Sequence, residues 1–420
     1  MKKFLFTLLI LLATSFPSYG ESINCGSGET YTTLAAAVSH INSSGDAINT
    51  ITITSDLTEA AAVLTKDSTT IKCDTTLYTV TALDSAAAAL TIQASGVVID
   101  NVGFTDTGLD NGVTQGLVYV DLASMTYSGS AIIKNCAFTA AMSPIIKSNY
   151  KAGLAYDLDI VNTSLNFDLY IAAISYDSSG IFRLTNSYLV LTSNVTFAKA
   201  LELDRFASGS TVVGNYFNGA GVNNIIVSST SAITDSSVLI ANNLFSNANL
   251  SATRVNNGIC IGNGTTQVTV NIVGNLFFDN STHTGLTAGI QVYPKCTANV
   301  YNNTFVNKAY GLNLSVADAT TTIRLYNNLF YGSRVDDIYT NNTSLVQYTF
   351  YNNTFNTNSA KQCDNATVLA ALQASTGYSM AVSAMSDATA PTTGLFLLPN
   401  SEDNKAVITG STTLLTNNTY

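Results

Sequence analysis

The 420-residue sequence has no tryptophan, two histidines and five prolines, and only 10% of its residues are charged. An average globular chain carries roughly 25% charged residues. Disorder is excluded, because it needs high charge with low hydrophobicity, whereas 46% of this chain is hydrophobic. The surface must then be built mainly from Asn, Thr and Ser. Seventeen basic residues face 27 acidic ones, for a net charge of −10. Nucleic acid and anionic lipid are poor partners for such a chain, since both require a basic footprint. A polyanionic polysaccharide would need a bridging cation. No CxxC pair occurs, so a zinc site has little support. Beyond the first residues, no apolar run reaches the roughly 20 residues of a spanning helix, and no membrane span is expected.

What is present begins at the N-terminus. Lys2 and Lys3 precede the apolar run FLFTLLILLA, and Ser18-Tyr19-Gly20 supplies small residues before Glu21. This pattern predicts a signal peptide over 1–20 and a mature chain that is secreted, periplasmic or on the cell surface. The six cysteines of an exported chain permit disulfides. Proximity in sequence suggests Cys25 with Cys73 and Cys260 with Cys296, with buried free thiols as the alternative.

One motif recurs: a β-rich pair, then Asn, one residue, and a large apolar residue. It appears as VVGNYF ending at Phe217, LIANNLF at Phe245, IVGNLF at Phe277, VYNNTF at Phe305, RLYNNLF at Phe330 and FYNNTF at Phe355. Weaker copies end at Phe104, Phe138, Leu165 and Leu189. With Asn135, Asn162, Asn186, Asn215, Asn243, Asn275, Asn303, Asn328 and Asn353 as the ruler, the spacings are 27, 24, 29, 28, 32, 28, 25 and 25. A period near 25 residues with variable insertions marks a solenoid. Segments such as Ile323-Arg324-Leu325-Tyr326 alternate with period two and favour strands. Between the Asn motifs lie short inward-outward-inward runs, Ile225-Ile226-Val227, Ile259-Cys260-Ile261, Ile290-Gln291-Val292 and Leu312-Asn313-Leu314. Gly258, Gly289 and Gly311 precede three of them and read as turns. Asn tolerates left-handed backbone better than any residue but Gly, and stacked amides can form coil-to-coil ladders.

The NNxF pattern resembles the repeat of the pectate-lyase-like superfamily over residues 95–356. The resemblance implies an all-β fold, a right-handed parallel β-helix with a short N-terminal capping helix. The run from Gly28 to Val38, then Gly45-Asp46-Ala47-Ile48, resembles the first coil of pectinesterase-like β-helices. Leu34, Val38 and Ile41 would give the cap helix its buried face. Residues 21–94 are read as cap and first coils, 95–356 as repeats, and 357–420 as a second cap. Gly394-Leu395-Phe396-Leu397-Leu398-Pro399 is similar to the closing segment of secreted β-helix proteins.

Hydrolases of this fold would show a series of close-set aspartates with a nearby His. Only Asp336-Asp337 is present, and neither His40, in the cap helix, nor His283, in a loop, has a matching motif. Pectinesterase signatures are missing too. Lyases of the fold hold calcium with carboxylates on an outer strand face beside a Lys or Arg base. Alternation in Leu201-Glu202-Leu203-Asp204-Arg205 turns Glu202 and Asp204 the same way, and nearby coils could add Asp121, Lys147 and Asp177. Asp121, Lys147, Asp177, Glu202, Asp204 and Arg205 are thus the catalytic candidates, with Asp177, Glu202 and Asp204 as calcium ligands. The alternative is a row of solvated charges, as most surface charges are. Gln291, Tyr293, Asn313 and Tyr339 occupy outward positions suited to binding a neutral sugar. Two functions follow: a non-catalytic β-helix that binds extracellular polysaccharide or surface glycan or serves as an adhesive rod, and a calcium-dependent polysaccharide lyase; a third, a phage or toxin fibre, is disfavoured by the expected signal peptide. Only the second calls for a cofactor, calcium.

Overall fold

The computed structural model describes residues 20–380 apart from 60, 84–86, 107–114, 141–143, 169–171, 192–198, 220–222, 229–235, 247–255, 263–265, 280–283, 342–346 and 356–360, together with the backbone of Thr393–Phe396 and Ala406–Thr409. Three parallel sheets wind into one right-handed β-helix. The first has 13 strands, from Glu21–Cys25 to Gln347–Tyr351. The second has 13, from Leu57–Glu59 to Ser379–Met380, and the third has 11, from Ala62–Leu64 to Asp336–Tyr339. Each complete coil contributes one strand to each sheet, the end coils fewer, and coils stack at about 4.8 Å.

Alternation places one apolar column inside each sheet. In the first sheet, register aligns Ile71, Ile99, Ile133, Ile160 and Leu184, and all are fully buried. In the second sheet the motif phenylalanines stack. Phe217, Phe245, Phe277, Phe305 and Phe330 follow one another at centroid distances of 5.0, 4.7, 4.8 and 4.7 Å, with planes within 9°. Burial of each such ring is worth about 1.5–3 kcal/mol.

The expected asparagine corner is two columns, not one. Asn101, Asn135, Asn162, Asn186, Asn242, Asn302, Asn327 and Asn352 have φ between 49° and 58°, and Gly214 and Gly274 take the same place at 70° and 65°. The next residue forms the ladder. Asn215, Asn243, Asn275, Asn303 and Asn328 each donate Nδ2 to the Oδ1 of the following ladder Asn, at 3.0 to 3.1 Å. Upstream, Cys136, Thr163 and Ser187 hold the ladder position. The ruler used above therefore slips by one residue between Asn186 and Asn215, which accounts for its spacing of 29; Asn186 to Gly214 is 28.

Gly258, Gly289 and Gly311 are also not turns. They lie inside the strands Asn257–Ile261, Ala288–Val292 and Tyr310–Asn313. A β-carbon on them would collide with the rings of Phe277, Phe305 and Phe330 respectively. The glycine is the space the phenylalanine ladder occupies.

The disulfide expectation fails. All six cysteines are free and buried. Cys25 pairs in register with Ile53, and Cys73 follows the strand aligned next to it, so Cys25 and Cys73 are two rungs apart. Two rungs span about 9.6 Å, beyond the roughly 7 Å Cα limit of a disulfide. Cys260 lies in the third sheet and Cys296 in the first.

The cap helix forms as expected. Helix α1 (Leu34–Ser43) buries Leu34, Ala37, Val38 and Ile41, and Thr33 caps it by accepting the Ala36 N–H at 3.2 Å. The buried Glu59 carboxylate also accepts the N–H groups of Leu34 and Ala35, a favourable place for negative charge. A second helix, α2 (Ala366–Gln373), buries Val368 and Leu372 and is capped by Asn365. The sequence reading had no helix there. Thr393–Phe396 and Ala406–Thr409 pair antiparallel.

Candidate functional site

Connection lengths single out one face. Between the first and second sheets the link is two residues in nine successive coils, from 135–136 to 352–353. Between the second and third sheets it ranges from two residues (60–61) to eleven (107–117), and between the third and first from three (293–295) to eight (121–128). The third sheet is thus bordered on both sides by chain free to vary, the usual carrier of binding specificity.

Register defines the outward column of that sheet. Tyr119, Lys147, Ser175, Glu202, Ile226, Cys260, Gln291, Asn313 and Tyr339 succeed one another from coil to coil. Five of the expected residues, Lys147, Glu202, Gln291, Asn313 and Tyr339, are therefore brought into one line. Tyr293 lies just beyond the end of strand Ala288–Val292.

The carboxylate ledge takes a different form from the one expected. Asp121 Oδ2 accepts from Gln93 Nε2 at 3.0 Å and Ser124 Oγ at 2.6 Å, and its Oδ1 accepts from Asn149 Nδ2 at 2.8 Å. Burial would raise the Asp121 carboxyl, but these hydrogen bonds outweigh it and hold it below its ordinary value. Glu202 and Asp204 are both half-buried on either side of buried Leu203, in keeping with alternation, and a register shift between Tyr176 and Asp177 places Arg205 opposite Asp177. Arg205 Nη1 lies 2.6 Å from both Asp177 oxygens, and its guanidinium covers the Tyr150 ring at 4.1 Å. Burial nonetheless lifts the Asp177 carboxyl above its usual range, against the pull of Arg205. Glu202 pairs with Lys199 at 2.8 Å. Among the described residues, no group of three His, Cys, Asp or Glu side chains is disposed to hold a metal ion. The proposed calcium ligands Asp177 and Glu202 instead face cationic side chains.

His40 is bonded to Glu21 at 2.6 Å beside the Tyr31 ring, in the N-terminal cap. His283 lies outside the described residues.

Two clusters escaped the sequence reading. The first closes the C-terminal end of the outward face. Tyr310 and Tyr339 stack at 4.7 Å and 27°. Asp336 sits next to Tyr310 in register and is 7% exposed. Asp364 follows Cys363, which bridges to Ile338, and its Oδ1 accepts the Thr340 N–H at 2.7 Å. Burial and the neighbouring Asp364 push the Asp336 carboxyl up to about 6. The available signal was Asp336-Asp337, which the sequence reading judged only as an incomplete hydrolase signature.

The second cluster is sealed in the links between second and third sheets. Lys308 and Asp279 are both fully buried, with Nζ 2.8 Å from Oδ1. Arg334 reaches Asp279 Oδ2 at 3.4 Å, Thr287 Oγ1 at 3.0 Å and the Gly285 carbonyl at 2.8 Å. Burial lowers the Lys308 ammonium from its ordinary value. The group fastens three successive links just ahead of the strands that carry Gln291, Asn313 and Tyr339.

No known family profile and no curated protein matches this sequence. Solved structures do. A mutant tailspike protein of E. coli bacteriophage HK620, in complex with a pentasaccharide, is 10% identical with a TM-score of 0.53; the match covers 80% of this chain and 66% of that one, just under two thirds of its length. An alginate lyase of type PL6, in complex with a trisaccharide, is 11% identical with a TM-score of 0.45, covering 94% and 93%. Pectate lyase Pel9A is 13% identical with a TM-score of 0.41, covering 83% and 81%. The likeness is one of fold. It is the right-handed parallel β-helix that the repeat predicted. Among the described residues no helix is long and apolar enough to cross a membrane.

Proposed function

We propose that this chain is an exported, non-catalytic β-helix that holds an extended polysaccharide or surface glycan along the outer face of its third sheet. One observation carries the reading: a line of outward side chains, rich in polar and aromatic groups from Tyr119 to Tyr339, runs between two borders of variable length. Asn313 and Tyr339 supply an amide and a ring face, the combination that orients a sugar, and the mostly buried Gln291 braces them by donating Nε2 to the Asn313 carbonyl at 3.2 Å. The absence of Trp leaves Tyr to act as the platform. Weighing against a calcium-dependent lyase, Asp121 is saturated by neutral donors, Asp177 is taken by Arg205 and Glu202 by Lys199. A carboxylate already neutralised by a cation offers little to calcium. The signal peptide expected from residues 1–20 supports an activity outside the cytoplasm.

The test is a glycan array probed with the mature chain, run beside an absorbance assay for unsaturated products on polyuronates. Binding to a defined glycan without product, with or without calcium, supports the reading. Product that requires calcium would replace it with the lyase.

A further inference from the structure

The C-terminal end of the same face differs chemically from the rest. Upstream carboxylates are matched by cations or neutral donors. At this end Asp336 is 7% exposed and has neither a hydrogen-bond nor an ion-pair partner among the described residues. It lies beside Tyr310 in register, and the Tyr310 ring stacks on Tyr339. The bridge between Ile338 and Cys363 brings Asp364 onto the rung after Tyr339. Two carboxylates therefore flank one stacked pair of rings. The positive charge acting on Asp336 is that of Lys361, which lowers its carboxyl by less than burial and Asp364 raise it. A carboxylate this buried is costly unless a positive partner arrives.

We propose that this end is a subsite for a cationic sugar, a glycan residue bearing a free ammonium group. The inference rests on the glycan-binding reading and names the substrate class within it. The ammonium would lie against the tyrosine rings, where a cation is attracted to the π face, and donate to Asp336 and Asp364. The remainder of the glycan would run back over Asn313 and Gln291. A bare metal ion fits less well: calcium takes 6–8 oxygen ligands, and no three-membered acidic group is present among the described residues. The acidic net charge of −10 points the same way, since it repels polyanions and attracts polycations.

Burial and Asp364 raise the Asp336 carboxyl, and Tyr310 feels both charges. Binding of a cationic sugar should then weaken as pH falls through about 6, when Asp336 protonates. It should weaken again above roughly pH 8, when a sugar amine of ordinary basicity loses its charge.

The experiment is isothermal titration of the full exported chain at pH 6.8 with two glucosamine hexasaccharides, one fully deacetylated and one fully N-acetylated. The deacetylated form should bind about tenfold tighter or more, the scale of one charge-assisted hydrogen bond. Asp336→Asn should erase that difference, and its circular dichroism will establish that it folds. Equal affinity for the two sugars, or a preference that survives Asp336→Asn, overturns the subsite while leaving glycan binding intact. Calcium chloride alone forms a third arm. Saturable calcium binding that Asp336→Asn abolishes, without preference for the deacetylated sugar, overturns it in favour of a metal site. Failure of both sugars overturns the subsite as well, and the glycan array then decides the wider reading.

Discussion

Asn302 and Asn303 are neighbours of identical type with different roles, so one pair of substitutions tests the corner. Asn303 is fully buried. Its Oδ1 accepts from Asn275 N at 2.9 Å and Nδ2 at 3.0 Å. Its Nδ2 donates to the carbonyls of Ile272 at 2.8 Å and Tyr301 at 3.0 Å, and to Asn328 Oδ1 at 3.1 Å. Replacing Asn303 with Gly removes all of these and strands the Asn275 N–H in the interior. A net hydrogen bond is worth about 1 kcal/mol and a stranded buried group costs about 1–3 kcal/mol. The expected loss is about 3–6 kcal/mol. Asn302 has φ of 56°, and Gly already occupies the same corner at 214 and 274. Asn302→Gly should change stability by about 1 kcal/mol or less, because glycine adopts that conformation without strain. Urea unfolding followed by far-ultraviolet circular dichroism will compare the midpoints. Equal midpoints, or a larger loss for Asn302→Gly, would refute the two-column corner.

Three further outcomes follow from the same geometry. Gly289→Ala forces a methyl group against the Phe305 ring and should cost about 1–3 kcal/mol; Phe305→Leu in the same chain should recover part of that loss, and a purely additive double mutant would contradict the contact. The Asp336 carboxyl is raised in the folded state to about 6 from 3.8, so the folded form holds its proton more tightly than the unfolded chain. Its ionisation therefore costs nothing below pH 3.8, costs progressively more up to about 6, and carries a full penalty of up to about 3 kcal/mol above it. Asp336→Asn should accordingly raise the unfolding midpoint at pH 7.5 and leave it unchanged near pH 3.5, while a benefit of equal size at both would disprove the assignment. Finally, the six buried thiols should resist a thiol reagent in the native chain and all react after unfolding without reductant. Fewer than six equivalents would mean that disulfides form.

Much of the architecture was legible because a solenoid writes its geometry once per coil. The period, the inward phenylalanines and the second short strand followed from spacing and alternation alone. The one-residue slip at Asn215 arose because Asn serves both the left-handed corner and the ladder; upstream coils keep Asn only at the corner and fill the ladder with Cys136, Thr163 and Ser187. Gly289 was misread because a missing side chain signals a turn in sequence, whereas its cause is a ring on a different strand. The line of Lys147, Glu202, Gln291, Asn313 and Tyr339 was visible through alternation. Its electrostatics were not, because the bulge at Asp177 shifts Arg205 into a place that no local pattern specifies. Lys308, Asp279 and Arg334 lie 29 and 55 residues apart in pairs along the chain. Only the stacking of their links brings them together.

The central claim is that the outer face of the third sheet is the binding surface. The direct measurement is glycan affinity of two triple variants against the parent chain. Gln291→Ala/Asn313→Ala/Tyr339→Ala strips that face, while Tyr301→Ala/Tyr326→Ala/Tyr351→Ala strips an outward tyrosine column of the first sheet. Loss of about 1–3 kcal/mol of binding per oriented contact predicts at least a hundredfold fall for the first triple and none for the second. Retained affinity in the first triple, or loss confined to the second, would contradict it.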